Sequence, residues 1–290
     1  MKKFYTLAAA LMMGALGAQA GQLFLAGDAT LYGWNLDDAQ ALLSTPDNDN
    51  IYTGTLYLKG EQEFKILASY EFGGTEYGAA PDASLTDGKI TLASGINDEG
   101  YGKIKVAEDG NYLITIDTEN LSATFVKSVY QESEVIYSTL FMVGSATAGN
   151  WSVDNGTPMY QNPENPCEFS AMNIELNEGT FKIANALKGG GTWGGKYWFF
   201  RNADNAELMT LDQEGDLQWS IITAGNYNIV ANTATGAISI KAAQSSSISD
   251  IAAPDAAAEY YNLQGVRVMN PANGLYIVRQ GGKTFKTLLK

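Results

Sequence analysis

The residues best suited to hold a ligand fall in one short stretch. Trp193, Tyr197, Trp198, Phe199 and Phe200 are interleaved with Gly189, Gly190, Gly191, Gly194 and Gly195, and with three of the few cations in that half of the chain, Lys188, Lys196 and Arg201. A sugar offers flat C–H faces and hydroxyl edges, so its binding takes exposed aromatic planes with donors and acceptors at their rim. If 196–201 is a strand, alternation puts Lys196, Trp198 and Phe200 on one face and Tyr197, Phe199 and Arg201 on the other. The expected site is Trp198 with Lys196 on an open face, Trp193 completing a two-ring platform, and Arg201 and Lys182 supplying further donors. The competing expectation is that Trp198 is simply a core residue.

Catalytic chemistry is poorly provided for. The chain has no histidine, which removes the commonest general base, the Ser-His-Asp relay and the commonest transition-metal ligand. Carboxylates are plentiful, but a glycosidase needs two flanking one bond, and nothing singles out a pair among Asp204, Glu207, Asp212 and Glu214. Asp47-Asn48-Asp49-Asn50 lacks the glycine and the closing glutamate of a calcium loop and reads as a turn. The triple glycine has no strand–GxxxxGK–helix context, so it is no phosphate loop. No catalytic residue, metal or cofactor is expected.

The charge distribution narrows the partners. Of the net charge of −14, Lys2 and Lys3 contribute +2 and residues 260–290, with five bases and no acid, contribute +5, which leaves −21 on residues 21–259. Such a body repels phosphate backbones and anionic membranes, and a neutral polysaccharide or oligosaccharide suits it better than nucleic acid.

The elements that would position these residues come in two copies. Leu23-Phe24-Leu25-Ala26-Gly27-Asp28-Ala29-Thr30 returns as Leu140-Phe141-Met142-Val143-Gly144-Ser145-Ala146-Thr147, an offset of 117. Trp34 returns as Trp151, Tyr52 as Phe169, and Phe64-Lys65-Ile66 as Phe181-Lys182-Ile183, all at the same offset, while Gly110-Asn111-Tyr112 returns at 115. A period held this long marks a duplicated domain, 21–127 and 138–241. Period-2 runs such as 51–58 and 227–231, punctuated by Asp109-Gly110-Asn111 and Thr235-Gly236, predict antiparallel β-sandwiches. Trp34 and Trp151, repeated in register, are expected to hold the fold, and Lys65 to be solvated. At the constant offset Glu76 stands where Trp193 does, so the first copy, with Tyr70, Phe72 and Tyr77 but no tryptophan there, is expected to bind less or nothing.

Residues 1–20 read as a signal peptide: Lys2 and Lys3, an apolar run from Leu7 to Leu16, and a small-x-small site at Ala18-Gln19-Ala20. Cys167, the one cysteine, lies far from that site, so neither a disulfide nor a lipid anchor there is expected. Residues 242–258, rich in Ala and Ser, read as a linker, and 259–290 as a small β domain with turns at Asn273-Gly274 and Gly281-Gly282.

The residues of the repeat resemble a known family. Gly144-Ser145-Ala146-Thr147, Trp151 and Phe181-Lys182-Ile183, with the matching Gly27-Asp28-Ala29-Thr30, Gly33-Trp34 and Phe64-Lys65-Ile66, are similar to the opening of SusE/SusF-type starch-binding modules. That resemblance implies immunoglobulin-like β-sandwiches holding α-glucan on paired aromatics with Lys or Arg at the rim, in a surface glycan-uptake complex. Carried over, it points to Trp193, Lys196, Trp198 and Arg201. The chain departs from the family in lacking the lipid-acceptor cysteine and, in the first copy, the tryptophans of the aromatic stretch. Tyr260-Tyr261-Asn262-Leu263-Gln264-Gly265-Val266-Arg267-Val268, then Pro271 and Gly274-Leu275-Tyr276-Ile277-Val278, resemble the C-terminal sorting domains of the type IX secretion system. This implies recognition by that machinery and display on, or release from, the outer membrane. A surface adhesion or structural protein without sugar binding is the alternative from another class, and a hydrolase is the third.

Overall fold

The structure is a computed structural model that describes residues 20–130, 137–187, 198–243, 258–262, 266–280 and 283–289. The fold is all-β, and every pairing between its named strands is antiparallel. Among the described residues no helix is long and apolar enough to cross a membrane. The chain divides into two compact units, Met1–Ala243 and Gln244–Lys290.

The first copy supplies β1 (Gln22–Ala26), β2 (Gln40–Thr45), β3 (Asn48–Leu58), β4 (Lys65–Leu67), β5 (Glu76–Ala79), β6 (Lys89–Gly95), β7 (Gly110–Asp117) and β8 (Ser122–Lys127). They pair in the order β1-β2-β3-β7-β8-β6-β5-β4, and β4 returns to β1, so the two faces of the expected sandwich are joined round both edges into a closed barrel. Leu25, Leu42, Leu56, Leu58, Ile66 and Ile114, from alternate positions of its strands, fill it together with Phe64 and Ile104, which bridge to each other outside them. Of the run read as a turn, only Asp47 lies in the two-residue turn between β2 and β3; Asn48, Asp49 and Asn50 already belong to β3.

The second copy repeats this with β9 (Leu140–Val143), β10 (Thr157–Asn162), β11 (Asn165–Leu176), β12 (Gly179–Ala184), β13 (Trp198–Arg201), β14 (Met209–Leu211), β15 (Trp219–Ile221), β16 (Gly225–Asn232) and β17 (Ile238–Ala242). The order is β14-β13-β12-β9-β10-β11-β16-β17, with β15 on β12. Among the described residues its ends meet through the bridge of Leu208 with Ala237 and the hydrogen bonds beside it; β14 has three residues where β6 has seven. Met142, Phe169, Phe181, Ile183, Phe199 and Trp219 fill the interior.

A second layer covers part of each outer face. After β1 and after β9 the chain folds back across the strands it has just left. In the first copy Phe24, Ala26, Ala41 and Leu67 are buried there with Leu36 and Tyr70. In the second, Phe141, Val143, Val153, Ala184, Leu187, Trp198 and Phe200 form a larger cluster.

The second unit holds β18 (Glu259–Tyr261), β19 (Arg267–Val268), β20 (Gly274–Gln280) and β21 (Lys283–Leu289), paired in the order β19-β18-β20-β21.

Candidate ligand-binding sites

The repeated Gly-x-Ala-Thr segment is a loop fastener. The chain leaves β1 and β9 so close to the next strand over that a Cβ on Gly27 would lie 2.2 Å from the Glu63 carbonyl oxygen, and one on Gly144 2.1 Å from that of Thr180. Only glycine fits there. The Gly27 N–H donates to Gly33 O and the Gly144 N–H to Asn150 O, while the hydroxyls of Thr30 and Thr147 donate to Gly27 O and Gly144 O, each at 2.9 Å. The loop so closed carries Trp151 to the repeated Lys182 in one copy and Trp34 to Lys103 in the other.

In the second copy that lysine is Lys182 on β12, its side chain only 7% exposed. Its Nζ lies 2.8 Å from Asp216 Oδ1 and faces three rings, with centroids at 4.8 Å for Trp198, 5.0 Å for Phe200 and 5.8 Å for Trp151. Gln218 Nε2 donates to Asp216 Oδ2 at 2.6 Å, and the Thr180 hydroxyl is bonded to Gln218 Oε1. The Lys182 ammonium holds the Asp216 carboxyl below the ordinary range. Trp151, Thr180, Lys182, Asp216 and Gln218 line an open cavity of about 440 Å³.

The first copy has the same plan with different partners. Lys65 Nζ lies 2.9 Å from Glu76 Oε2 and 2.8 Å from Asp98 Oδ1, and Lys103 pairs with Asp98 as well. The Tyr101 hydroxyl bonds Glu76 and lies 3.0 Å from Asp98 Oδ1. Burial disfavours the Lys65 ammonium, but hydrogen bonds to Asp98 and Glu76 outweigh it and raise its pKa. Burial likewise works against the Glu76 carboxylate, and Tyr101 and Lys65 overcome it and lower its pKa. Lys103 and Lys65 depress Asp98 further still. Above this network Trp34 (37% exposed) and Phe72 (49% exposed) lie with centroids 6.5 Å apart. Lys103 Nζ sits 5.6 Å from the Trp34 ring and Lys65 Nζ 4.9 Å from that of Phe72.

These are corresponding positions. Lys65 and Lys182, like Trp34 and Trp151, keep the offset of 117, and Asp98 and Asp216 stand 118 apart. Lys103 precedes Ile104, which bridges to Phe64, and Gln218 precedes Trp219, which pairs with Phe181, so the glutamine occupies the second lysine's place. Each site therefore joins an indole at least partly open to water, a nearly buried ammonium and a carboxylate.

Several sequence expectations change. Trp198 is not on an open face; it is 1% exposed. Alternation does place it with Phe200, but that outer face carries its own apolar layer, and the indole is buried in it. Lys182 is at the site, as a buried paired cation. Lys65 is not solvated but 3% exposed, because two carboxylates accompany it. Trp34 and Trp151 lie outside the two interiors and border the sites, and Trp151 also packs against the outer apolar cluster, as expected of a residue that holds the fold. Glu76 pairs with Leu67 as Trp198 pairs with Ala184, so its counterpart is Trp198, not Trp193; the intervening loop is five residues longer in the second copy. Arg201 donates to the carbonyls of Gln218 and Asn202 and lines a broader cleft that shares Gln218 with the site. Trp193 and Lys196 lie outside the described residues. Asp98, Lys103, Asp216 and Gln218 were not singled out from sequence; the near-constant spacing of lysine to aspartate in both copies is a signal for the two aspartates, and Lys103 and Gln218 correspond only through strand pairing.

No known protein family and no curated protein matches the chain. Among solved structures, SusF from Bacteroides thetaiotaomicron is similar at 16% identity and a TM-score of 0.30. The alignment takes in 91% of this chain and 58% of that one, so the chain spans little more than half the length of its neighbour.

Proposed function

We propose that the chain is a non-catalytic, exported binding protein for a neutral glycan of the α-glucan kind, with one site on each copy. The observation that carries this is the repetition, outside both cores, of an indole beside a lysine–aspartate pair. An indole offers a face for pyranose C–H groups. The ion pair holds its donors and acceptors in fixed positions, and Asp216, Gln218 and Thr180 bring oxygen and amide groups to the cavity wall for sugar hydroxyls. The segment 188–197 joins the strands bearing Lys182 and Trp198, so Trp193 and Lys196 are proposed as further rim residues of the second site.

Hydrolysis fits these sites poorly. A general acid must keep its proton near neutral pH, whereas Glu76, Asp98 and Asp216 are all pushed toward the ionised form. The signal-peptide-like sequence of residues 1–20 and the sorting-domain-like sequence of 260–290 support export to the outer-membrane surface or medium, with the tail proposed as the signal read by secretion machinery.

The test is retention on insoluble starch of residues 20–243, compared with Trp34→Ala, Trp151→Ala and the double variant. Each single change is expected to weaken retention and the double to abolish it. Equal retention of all four proteins would remove both sites; no retention of the parent would remove the ligand and leave an adhesion or structural module.

A further inference from the structure

The second site stands on a cluster that the second copy does not complete by itself. Trp198 and Phe200, two of the rings facing Lys182, are buried among Phe141, Val143, Val153, Ala184 and Leu187, and Leu43 of the first copy belongs to the same cluster. Leu43 lies on β2 next to Leu42, which points into the first barrel; Leu43 points out of it, yet is 4% exposed. Among the described residues the outer cluster of the first copy draws only on that copy, closing with its own Leu36 and Tyr70.

A polar clip fixes this junction. β2 pairs with β3 only as far as Leu43 with Thr53, which leaves the backbone of Thr55 open at that edge. Gln161 of β10 fills it. Its Oε1 accepts the Thr55 N–H at 2.5 Å, and its Nε2 lies 3.2 Å from Thr55 O, 3.1 Å from Tyr137 O and 2.7 Å from Pro166 O. A side-chain amide thus takes the role of one more strand residue, and the backbone groups of Thr55 stay paired where water is largely excluded.

We infer that the first barrel is a working part of the second site: Leu43 and Gln161 are positioning residues that keep Trp198 and Phe200 beneath the Lys182 ammonium. Without Leu43 the apolar face beside those rings would meet water, the rings would shift, and Lys182 and Asp216 would lose the wall that orients them. The affinity arm of this inference rests on the glycan reading; the structural arm does not.

The test uses the chain from residue 20 onward, grown with fluorotryptophan, so that its five tryptophans give separate fluorine resonances assigned by single Trp→Phe changes. Leu43→Ser and Gln161→Ala are expected to move the Trp198 and Trp151 resonances and leave Trp34 in place, and Leu43→Met to restore them. Titration with maltoheptaose in a Trp34→Ala background is expected to show affinity at the second site falling about tenfold or more. In a Trp151→Ala background the first site is expected to hold within about twofold. Unmoved Trp198 and Trp151 resonances in both variants, or loss of both sites together in both, would overturn the inference. If the parent binds no maltoheptaose, the glycan reading fails and the resonances alone decide the coupling.

Discussion

Lys182 and Lys65 are ammonium groups nearly removed from water, and the two copies meet that cost differently. Lys65 has two carboxylates, whereas Lys182 has one carboxylate and three ring faces. A cation over desolvated rings gains about 2 kcal/mol, less than a buried charge loses, so the Asp216 carboxylate is needed as well. Removing one partner of an ion pair is costly when the other charge is left buried; the Asp216 side chain is 64% exposed, so its carboxylate is left to water when the ammonium goes. Lys182→Met is therefore expected to leave the second copy's stability within about 1 kcal/mol in chemical denaturation and to weaken glycan binding about tenfold or more. Unchanged binding in a folded Lys182→Met protein would show that the ammonium only supports the fold. Glu76→Gln keeps the shape but leaves Lys65 and Tyr101 short of an acceptor, at an expected cost of about 1–3 kcal/mol to the first barrel. The pH dependence has a definite sign. Glu76 and Asp98 titrate lower in the folded chain than unfolded, so their contribution is complete above about pH 4 and is lost as the solution becomes more acid. Lys65 titrates higher when folded, so its contribution holds below about pH 10.4 and fades above it. Thermal midpoints should fall off on both sides of that window, and the acid limb should be shallower in Glu76→Gln.

At the level of elements, the loop after the first strand of each copy both closes the outer layer and carries the indole. Thr147→Val removes the hydroxyl bond to Gly144 O and should cost about 1 kcal/mol. Gly144→Ala must displace the loop from β12, since its Cβ would meet backbone, so it should abolish binding at the second site while the first site persists. Retained binding in Gly144→Ala would mean that the loop does not position Trp151. These loops also explain what could be read in advance. The all-β strand pattern and the Gly-x-Ala-Thr signature were legible because the fasteners and period-2 cores are local. Alternation grouped Trp198 with Phe200 correctly but said nothing of whether that face has a second layer; the layer comes from distant segments, including Leu43 of the other copy. A constant offset misassigned Glu76 because the loop before β13 is longer than its counterpart. The lysine–aspartate pairs went unread since their members sit on different elements more than thirty residues apart.

For the whole molecule, a body carrying −21 over residues 21–259 is joined to a basic four-stranded tail. Deleting residues 260–290 is expected to trap the protein in the periplasm in cell fractionation, and unchanged surface display would deny the tail that role. The body itself is read as two glycan sites on one scaffold. The most direct test follows the tryptophan fluorine resonances of the intact chain while maltoheptaose is added. Trp34 and Trp151 should shift saturably and Trp219, buried in the second core, should not. Saturable binding that leaves both Trp34 and Trp151 unmoved would contradict the account at its centre.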